Sequence, residues 1–249
     1  MNTLGISTDS IHKNVVVSPG WQPERLFNAD EIHPIVSSSP LFGYKIWNIE
    51  NETRHISYMR TGFGSPMMLD ALLLLGLTGC RKILFVSSVG ALSPEINVGD
   101  IVIPEYSASG DGAGRYLSDS LSDDIFGDKQ YPDNDLFRLL VNETQRVCDK
   151  SSVRWHLGKT FCVDTIVAQY SHLDSLIKMG YNSIDMESAA AFRAAKMMNI
   201  PAAAILHVSD NSVINKSLMT GRGNRQEREY RNFVRNEILP PIIEGIISK

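Results

Sequence analysis

The sequence predicts an α/β fold in which a mixed, mostly parallel sheet carries helices on both faces, and three observations lead there. Short β-branched runs end abruptly in glycine turns, helical segments alternate with them, and Ala202 to Val208 is a continuous apolar run with the length of a central strand. Strand, glycine turn, helix, strand is the grammar of a sheet covered on its two sides. A chain of 249 residues with 43% hydrophobic content can bury one sizeable core, and this pattern favours a single domain over residues 1–249.

Taken in order, Val15 to Val17 is a buried strand stopped by Ser18-Pro19-Gly20, and Glu24 to Ile32 is expected to be helical. Tyr44 to Ile49 and Arg54 to Met59 alternate apolar and polar residues around Glu50-Asn51-Glu52, the pattern of a hairpin with one half-buried face. Thr61-Gly62-Phe63-Gly64-Ser65 breaks that second strand, and Pro66 opens an apolar helix through Leu75 that Gly76 caps. Lys82 to Ser87 and Asp100 to Pro104 are further strands. Ser107 to Tyr131, rich in Gly, Ser and Asp, is expected to be a long surface loop, of the kind that often serves as a lid. Helices over about Asp135 to Asp149 and His172 to Met179 flank a strand around Gly158 to Val163. Met186 to Met198 has high helix propensity and stops at Asn199-Ile200-Pro201, ahead of the central strand and its abrupt end in Ser209-Asp210-Asn211.

Composition narrows the function classes. A formal net charge of −4 without a like-charge block argues against nucleic acid as a partner and for small-molecule work. Three widely spaced cysteines, Cys80, Cys148 and Cys162, suggest neither a disulfide framework nor a CxxC metal site, and fit a reducing compartment. The N-terminal stretch lacks a basic region followed by an apolar one, and no window approaches the roughly 18 apolar residues that span a bilayer, so a cytoplasmic location and no membrane partner are expected. No His/Cys/Asp spacing implies a metal or an organic cofactor.

Two polar clusters end buried elements, where open α/β sheets place their ligands. Ile184-Asp185-Met186-Glu187-Ser188 starts the Ala-rich helix; its acids suit a helix N-terminus as well as a binding site. Ser209-Asp210-Asn211 closes the central strand, where a carboxylate serves as an N-cap or as a catalytic group.

Together with VVVSPG, MRTGFGSP, ILFVSSVGALSPEINVGDIVIPE and GKTFCVDT, the segments IDMESAAAF and HVSDN resemble the nucleoside phosphorylase family with the purine/uridine phosphorylase-like fold, which also includes methylthioadenosine and futalosine nucleosidases. The resemblance runs over nearly the whole chain and implies a three-layer α/β/α phosphorylase-like fold. It assigns Met186 and Glu187 to the ribose, where a carboxylate can accept from two adjacent hydroxyls as the sugar gains oxocarbenium character. Ser209 and Asp210 fall at the base, with Asp210 as the acid that protonates or hydrogen-bonds N7 of a departing purine. Phe161 matches a position that stacks on the base and equally fits a core aromatic. In uracil-specific relatives a Gln/Arg pair reads the base, and GKTFCVDT holds no such pair, so a purine-like base is favoured.

For phosphate, the resemblance points to Gly20 and Arg25 in PGWQPER, although one residue more separates them than in the family turn, and to Ser88 in FVSSVG. Arg60 in MRTGFG matches a phosphate-binding arginine of the trimeric purine phosphorylases. Two arginines of the hexameric enzymes are missing: Phe85 stands in place of one, and Ser37 to Leu41 offers none to lend to a neighbour. His12 is too close to Gly20 in sequence to cap the ribose across an interface. Arg222, Arg225 and Arg228 lie at about the distance of an arginine that partners the acid. The leading expectation is phosphorolysis with inorganic phosphate as co-substrate and no cofactor, by a homo-oligomer such as a dimer or a trimer of dimers. Hydrolysis by a nucleosidase of the same fold is the alternative, and a non-catalytic nucleoside-binding relative the third.

Overall fold

Alternation within single strands explains the layers of the molecule, whose computed structural model describes residues 8–36, 43–217 and 224–248. The elements run β1 (Asn14–Ser18), β2 (Ile32–Val36), β3 (Lys45–Glu50), β4 (His55–Arg60), α1 (Ser65–Leu75), β5 (Lys82–Ala91), β6 (Ile101–Ser109), β7 (Lys129–Gln130), α2 (Asn134–Ser151), β8 (Trp155–Cys162), α3 (Leu173–Lys178), β9 (Ser183–Asp185), α4 (Ser188–Met197), β10 (Ala202–Asn211), α5 (Arg225–Phe233) and α6 (Leu239–Ile247). In β1, Val15 and Val17 enter one hydrophobic cluster and Val16 the other; in β5, Ile83 and Phe85 face one way, Leu84 and Val86 the other. Ala202, Ala204, Leu206 and Val208 of β10 join the first cluster, Ala203 and Ile205 the second. These strands read as unbroken apolar runs because both of their faces are covered, one by α1 and α4, the other by α2 and α6.

The sheet is mixed, as the sequence predicts. β1 pairs in parallel with β4 and β5, and β5 in parallel with β10, which places the C-terminal ends of β1, β5 and β10 side by side. Antiparallel pairing joins β2 to β3 and β3 to β4, the expected hairpin. One feature escapes sequence reading: β5, β10, β6, β8 and β9 pair around a closed ring, with the three-residue β9 bridging β8 and β5. β1, β4, β3 and β2 extend from β5 as an open wing, and β7 pairs with β6 outside the ring.

Local departures have local causes. Glu24 to Ile32 is not helical: two short 3-10 turns, Pro23–Arg25 and Ala29–Glu31, lead into β2. Ile32, Ile35 and Val36 favour a strand, and Pro34 sits opposite Trp47 on an edge where its missing N–H breaks no ladder. The expected loop from Ser107 starts later, because Ser107 and Ala108 continue β6 and pair with Gln130 and Lys129. Within it, Ala113–Leu117 forms a 3-10 turn. The C-terminal helices were not foreseen; between α5 and α6 the backbone widens into a π-helical turn, Val234–Ile238. Pro240 and Pro241 follow at once, and in a regular α-helical turn their rings would crowd the carbonyls four residues back.

Candidate active site

At the C-terminal ends of β1, β5 and β10, a cavity of about 360 Å³ opens against the β9–α4 junction. This is the edge at which open α/β sheets bind ligands. Its lining joins Gly20, Trp21 and Arg25 after β1 to Ser88 and Gly90 of β5, Met186 and Glu187 of the β9–α4 junction, and Ser209 and Asp210 of β10.

A bulge aims the acid. β10 pairs with β5 in register through Val208 opposite Val89, then slips so that Asp210 lies opposite Gly90, leaving Ser209 as the extra residue. Gly90 keeps this place clear: a β-carbon there would lie 3.7 Å from both carboxylate oxygens of Asp210 and 3.1 Å from Cγ2 of Ile184. The Ser209 hydroxyl, 2.6 Å from Oδ1 of Asp210, donates to it, and Asp210 is buried.

The second carboxylate is fixed by a glycine turn. Gly64 adopts φ +94°, a conformation that L side chains rarely take, and its N–H donates to Oε1 of Glu187 at 2.7 Å. Next to it the Ser65 hydroxyl donates to the Met186 carbonyl at 2.9 Å. The start of α1 therefore holds the Met186-Glu187 segment, which explains why α4 begins at Ser188 rather than at Met186. Asp185 receives the Ser188 N–H at 2.9 Å and the Ser188 hydroxyl at 2.8 Å. Burial pushes both the Asp185 and Glu187 carboxyls upward; the nearby Asp185 charge adds to the shift at Glu187, and Asp111, itself raised by burial, adds to that at Asp185.

The part of the lining that carries Arg25 is basic. The Arg25 guanidinium lies 6.0 Å from the Trp21 ring, and the Trp21 indole N–H donates to the Ser88 hydroxyl at 3.3 Å. Behind them His207, opposite Ser88 in the β5–β10 register, meets Trp21 edge to face at 5.9 Å. Burial, with Arg231 and Arg235 nearby, lowers the His207 imidazole to about 3, so it is neutral, and its Nε2 has no hydrogen-bond partner among the described residues. Arg231 donates to the Ser209 carbonyl at 3.3 Å. Burial and the neighbouring Arg25 and Arg231 lower Arg235.

Of the residues singled out in the sequence, Gly20, Arg25, Ser88, Met186, Glu187, Ser209 and Asp210 thus share one cavity. Phe161 does not line it: the ring is buried with Val163 and Ile184, 4.9 Å from Tyr181, and covers Gly110, so its place is that of a core aromatic. Arg60 also stays outside, at the end of β4 opposite Ser18 and Lys45. Phe85 points into the core. Arg225 pairs with Glu229 on an exposed helix face, whereas Arg222 and the segment Ser37 to Leu41 lie outside the described residues.

Sequence reasoning missed Trp21, Phe63 and Gln169, which line the cavity, and Arg231, which holds the Ser209 carbonyl behind it. Phe63 lies between two glycines of positive φ and packs over Gly20, and the spacing of Arg231 and Arg235 puts them on one helix face. Gln169 lines the cavity with its Oε1 buried and unpartnered among the described residues. No metal-ligand set lines the cavity; among the described residues the one converging set is His12, Glu50 and His55, at the other end of β1.

Known proteins give the chain its kinship. Over 177 residues it is 27% identical to a DeoD-type purine nucleoside phosphorylase of Streptococcus pneumoniae (strain CGSP14), covering 69% of each chain. A DeoD-type relative from Streptococcus pyogenes serotype M4 is 26% identical over 158 residues, 63% of each chain. The crystal structure of uridine phosphorylase from Vibrio fischeri ES114 superposes with a TM-score of 0.74 at 19% identity, covering 98% of this chain and 95% of that one, and shares the fold. A family model described as the phosphorylase superfamily matches residues 30–235, and the chain belongs to that superfamily.

Proposed function

We propose that this protein is a nucleoside phosphorylase that uses inorganic phosphate to cleave the N-glycosidic bond of a purine-like nucleoside, releasing the free base and a sugar 1-phosphate. The observation that carries the reading is that Glu187 and Asp210 line one cavity together with Gly20, Arg25 and Ser88. Glu187, buried and pushed upward, gains from two ribose hydroxyls the hydrogen bonds that burial denies it. Asp210 hands a proton to the leaving base as the C–N bond breaks, while phosphate, held by Arg25, the Ser88 hydroxyl and the Gly20 turn, attacks the anomeric carbon and forms the new C–O bond. In this reading the protein works in the cytoplasm as a homo-oligomer, with residues 1–249 as one domain, and needs no metal or organic cofactor.

Gln169 favours a second reading of the base. Its amide can donate to a ring carbonyl and accept from the adjacent ring N–H, an edge shared by 6-oxopurines and uracil. Phe85, buried where the family resemblance expects an arginine, favours water over phosphate as the nucleophile. Incubation with inosine, adenosine and uridine, each with and without phosphate, separates these readings. Phosphate-dependent release of hypoxanthine supports the proposal. Release at equal rates in both conditions replaces it with hydrolysis, and preference for uridine replaces the purine assignment.

A further inference from the structure

The end of the sheet opposite the cavity gathers ligands that no spacing in the sequence announces. His12 precedes β1, Glu50 ends β3 and His55 begins β4, and their ligand atoms all lie within 4.8 Å of one another. His12 Nε2 is 2.7 Å from Glu50 Oε1, and the His12 and His55 rings stand 5.8 Å apart. We propose that His12, Glu50 and His55 form a binding site for a single Zn²⁺ ion, with water completing a tetrahedral set.

The backbone around these ligands is already fixed. Glu50 and His55 face each other as a register pair at the end of the β3–β4 hairpin, whose turn is closed by the Asn51 N–H donating to the Arg54 carbonyl at 3.0 Å. His12 is pinned to the same hairpin, because its N–H donates to the Ser57 hydroxyl at 2.9 Å, and that hydroxyl donates to Asn48 Oδ1 at 2.8 Å. Asn48 in turn donates to the Ser10 carbonyl at 3.4 Å. Three strand ends therefore hold three ligands, so binding has little chain entropy left to overcome.

Two imidazoles and one carboxylate are a donor set suited to zinc, with metal–ligand bonds of roughly 2.0–2.2 Å. Ligands around such an ion stand roughly 3.4 Å apart, so the exposed His55 ring must swing inward and the His12–Glu50 contact must open. For Nε2 of His12 to take the metal, its ring must be the neutral tautomer that carries the proton on Nδ1, with Nε2 no longer donating to Glu50. β1 separates this site from Gly20 by roughly 16 Å, so the ion clamps the entry of the chain to the wing of the sheet and takes no part in the cavity.

The test is calorimetric titration of ZnCl₂ into untagged, chelator-stripped full-length protein, repeated with His55→Ala, Glu50→Gln and His12→Ala. One ion per chain is expected for the parent protein. Each variant should lose affinity by more than the roughly 10-fold that removal of an outer-shell partner costs. Because His12→Ala could disturb the approach to β1, Co²⁺ is used as a second probe with the exposed His55→Ala variant. The parent should show the visible bands of four-coordinate nitrogen and oxygen ligation, and the variant should lose them with its far-ultraviolet circular dichroism unchanged. Absence of stoichiometric binding, or binding that survives unaltered in His55→Ala, overturns the proposal.

Discussion

The two walls of the cavity are built in different ways. On the acidic wall, Glu187 and Asp185 are held by the Gly64 N–H and by Ser188, contacts made either within a few residues or through one glycine turn. On the basic wall, Arg25 comes from the 3-10 turn after β1, while Arg231, from the far end of the chain, reaches the Ser209 carbonyl behind the cavity with a long side chain. The contrast teaches that carboxylates with no counter-charge beside them among the described residues need a rigid frame to stay buried, whereas guanidinium groups can be gathered from distant segments. It also sets opposite pH responses at the two walls.

Several changes would break or sharpen this contrast. The largest effect is expected at the bulge: Asp210→Asn should slow base release roughly 10²–10⁴-fold. Calorimetric affinity for the nucleoside should change far less, and normal turnover by the variant would remove Asp210 from the chemistry. On the basic wall, Arg25→Ala should raise the KM for phosphate roughly 10- to 100-fold, as expected for losing one charge-assisted hydrogen bond, with the KM for nucleoside little changed. Steady-state kinetics at varied phosphate measures it.

On the acidic wall the sign reverses between function and stability. The raised Glu187 carboxyl binds its proton more tightly folded than unfolded, so the native protein loses stability as pH rises from the unfolded pKa through the elevated folded one. Glu187→Gln should therefore impair both nucleoside binding and turnover, yet raise stability above neutral pH by on the order of 1 kcal/mol. In thermal melts that is about 2–4 °C. At His207 the lowered imidazole works the other way: stability is lost as pH falls below the unfolded value of about 6.5. Between pH 7 and pH 6 this loss is about 0.7 kcal/mol, and His207→Phe should abolish that part of the acid dependence in paired denaturant titrations.

Most of the strands could be read from the sequence because each carries its signal within a few residues. Val15 to Val17, the run from Lys82 and Ala202 to Val208 are β-branched or apolar throughout, with glycine or polar stops. Of the seven singled-out residues that share the cavity, Met186, Glu187, Ser209 and Asp210 were readable for a related reason, since their clusters end such runs, whereas Gly20, Arg25 and Ser88 were legible through the family resemblance. Closure of the ring by β9 was not readable, because three residues carry no period and the pairing with β5 is made by distant chain. Arg231 and Arg235 were hidden too: in a polar helix like α5, nothing local distinguishes an arginine that turns inward from one that pairs with its neighbour, as Arg225 does with Glu229. At Phe161 the motif left base stacking and a core place equally open, and the structure packs the ring against Gly110 and Tyr181.

Trp21 carries a consequence of its own. Its indole N–H touches the Ser88 hydroxyl while its ring lies against Arg25 and His207, so any anion drawn to that wall must alter the surroundings of a buried fluorophore. With Trp47 and Trp155 replaced by phenylalanine, the emission of the one remaining indole would turn occupancy of the wall into an optical signal, readable without substrate turnover or added label.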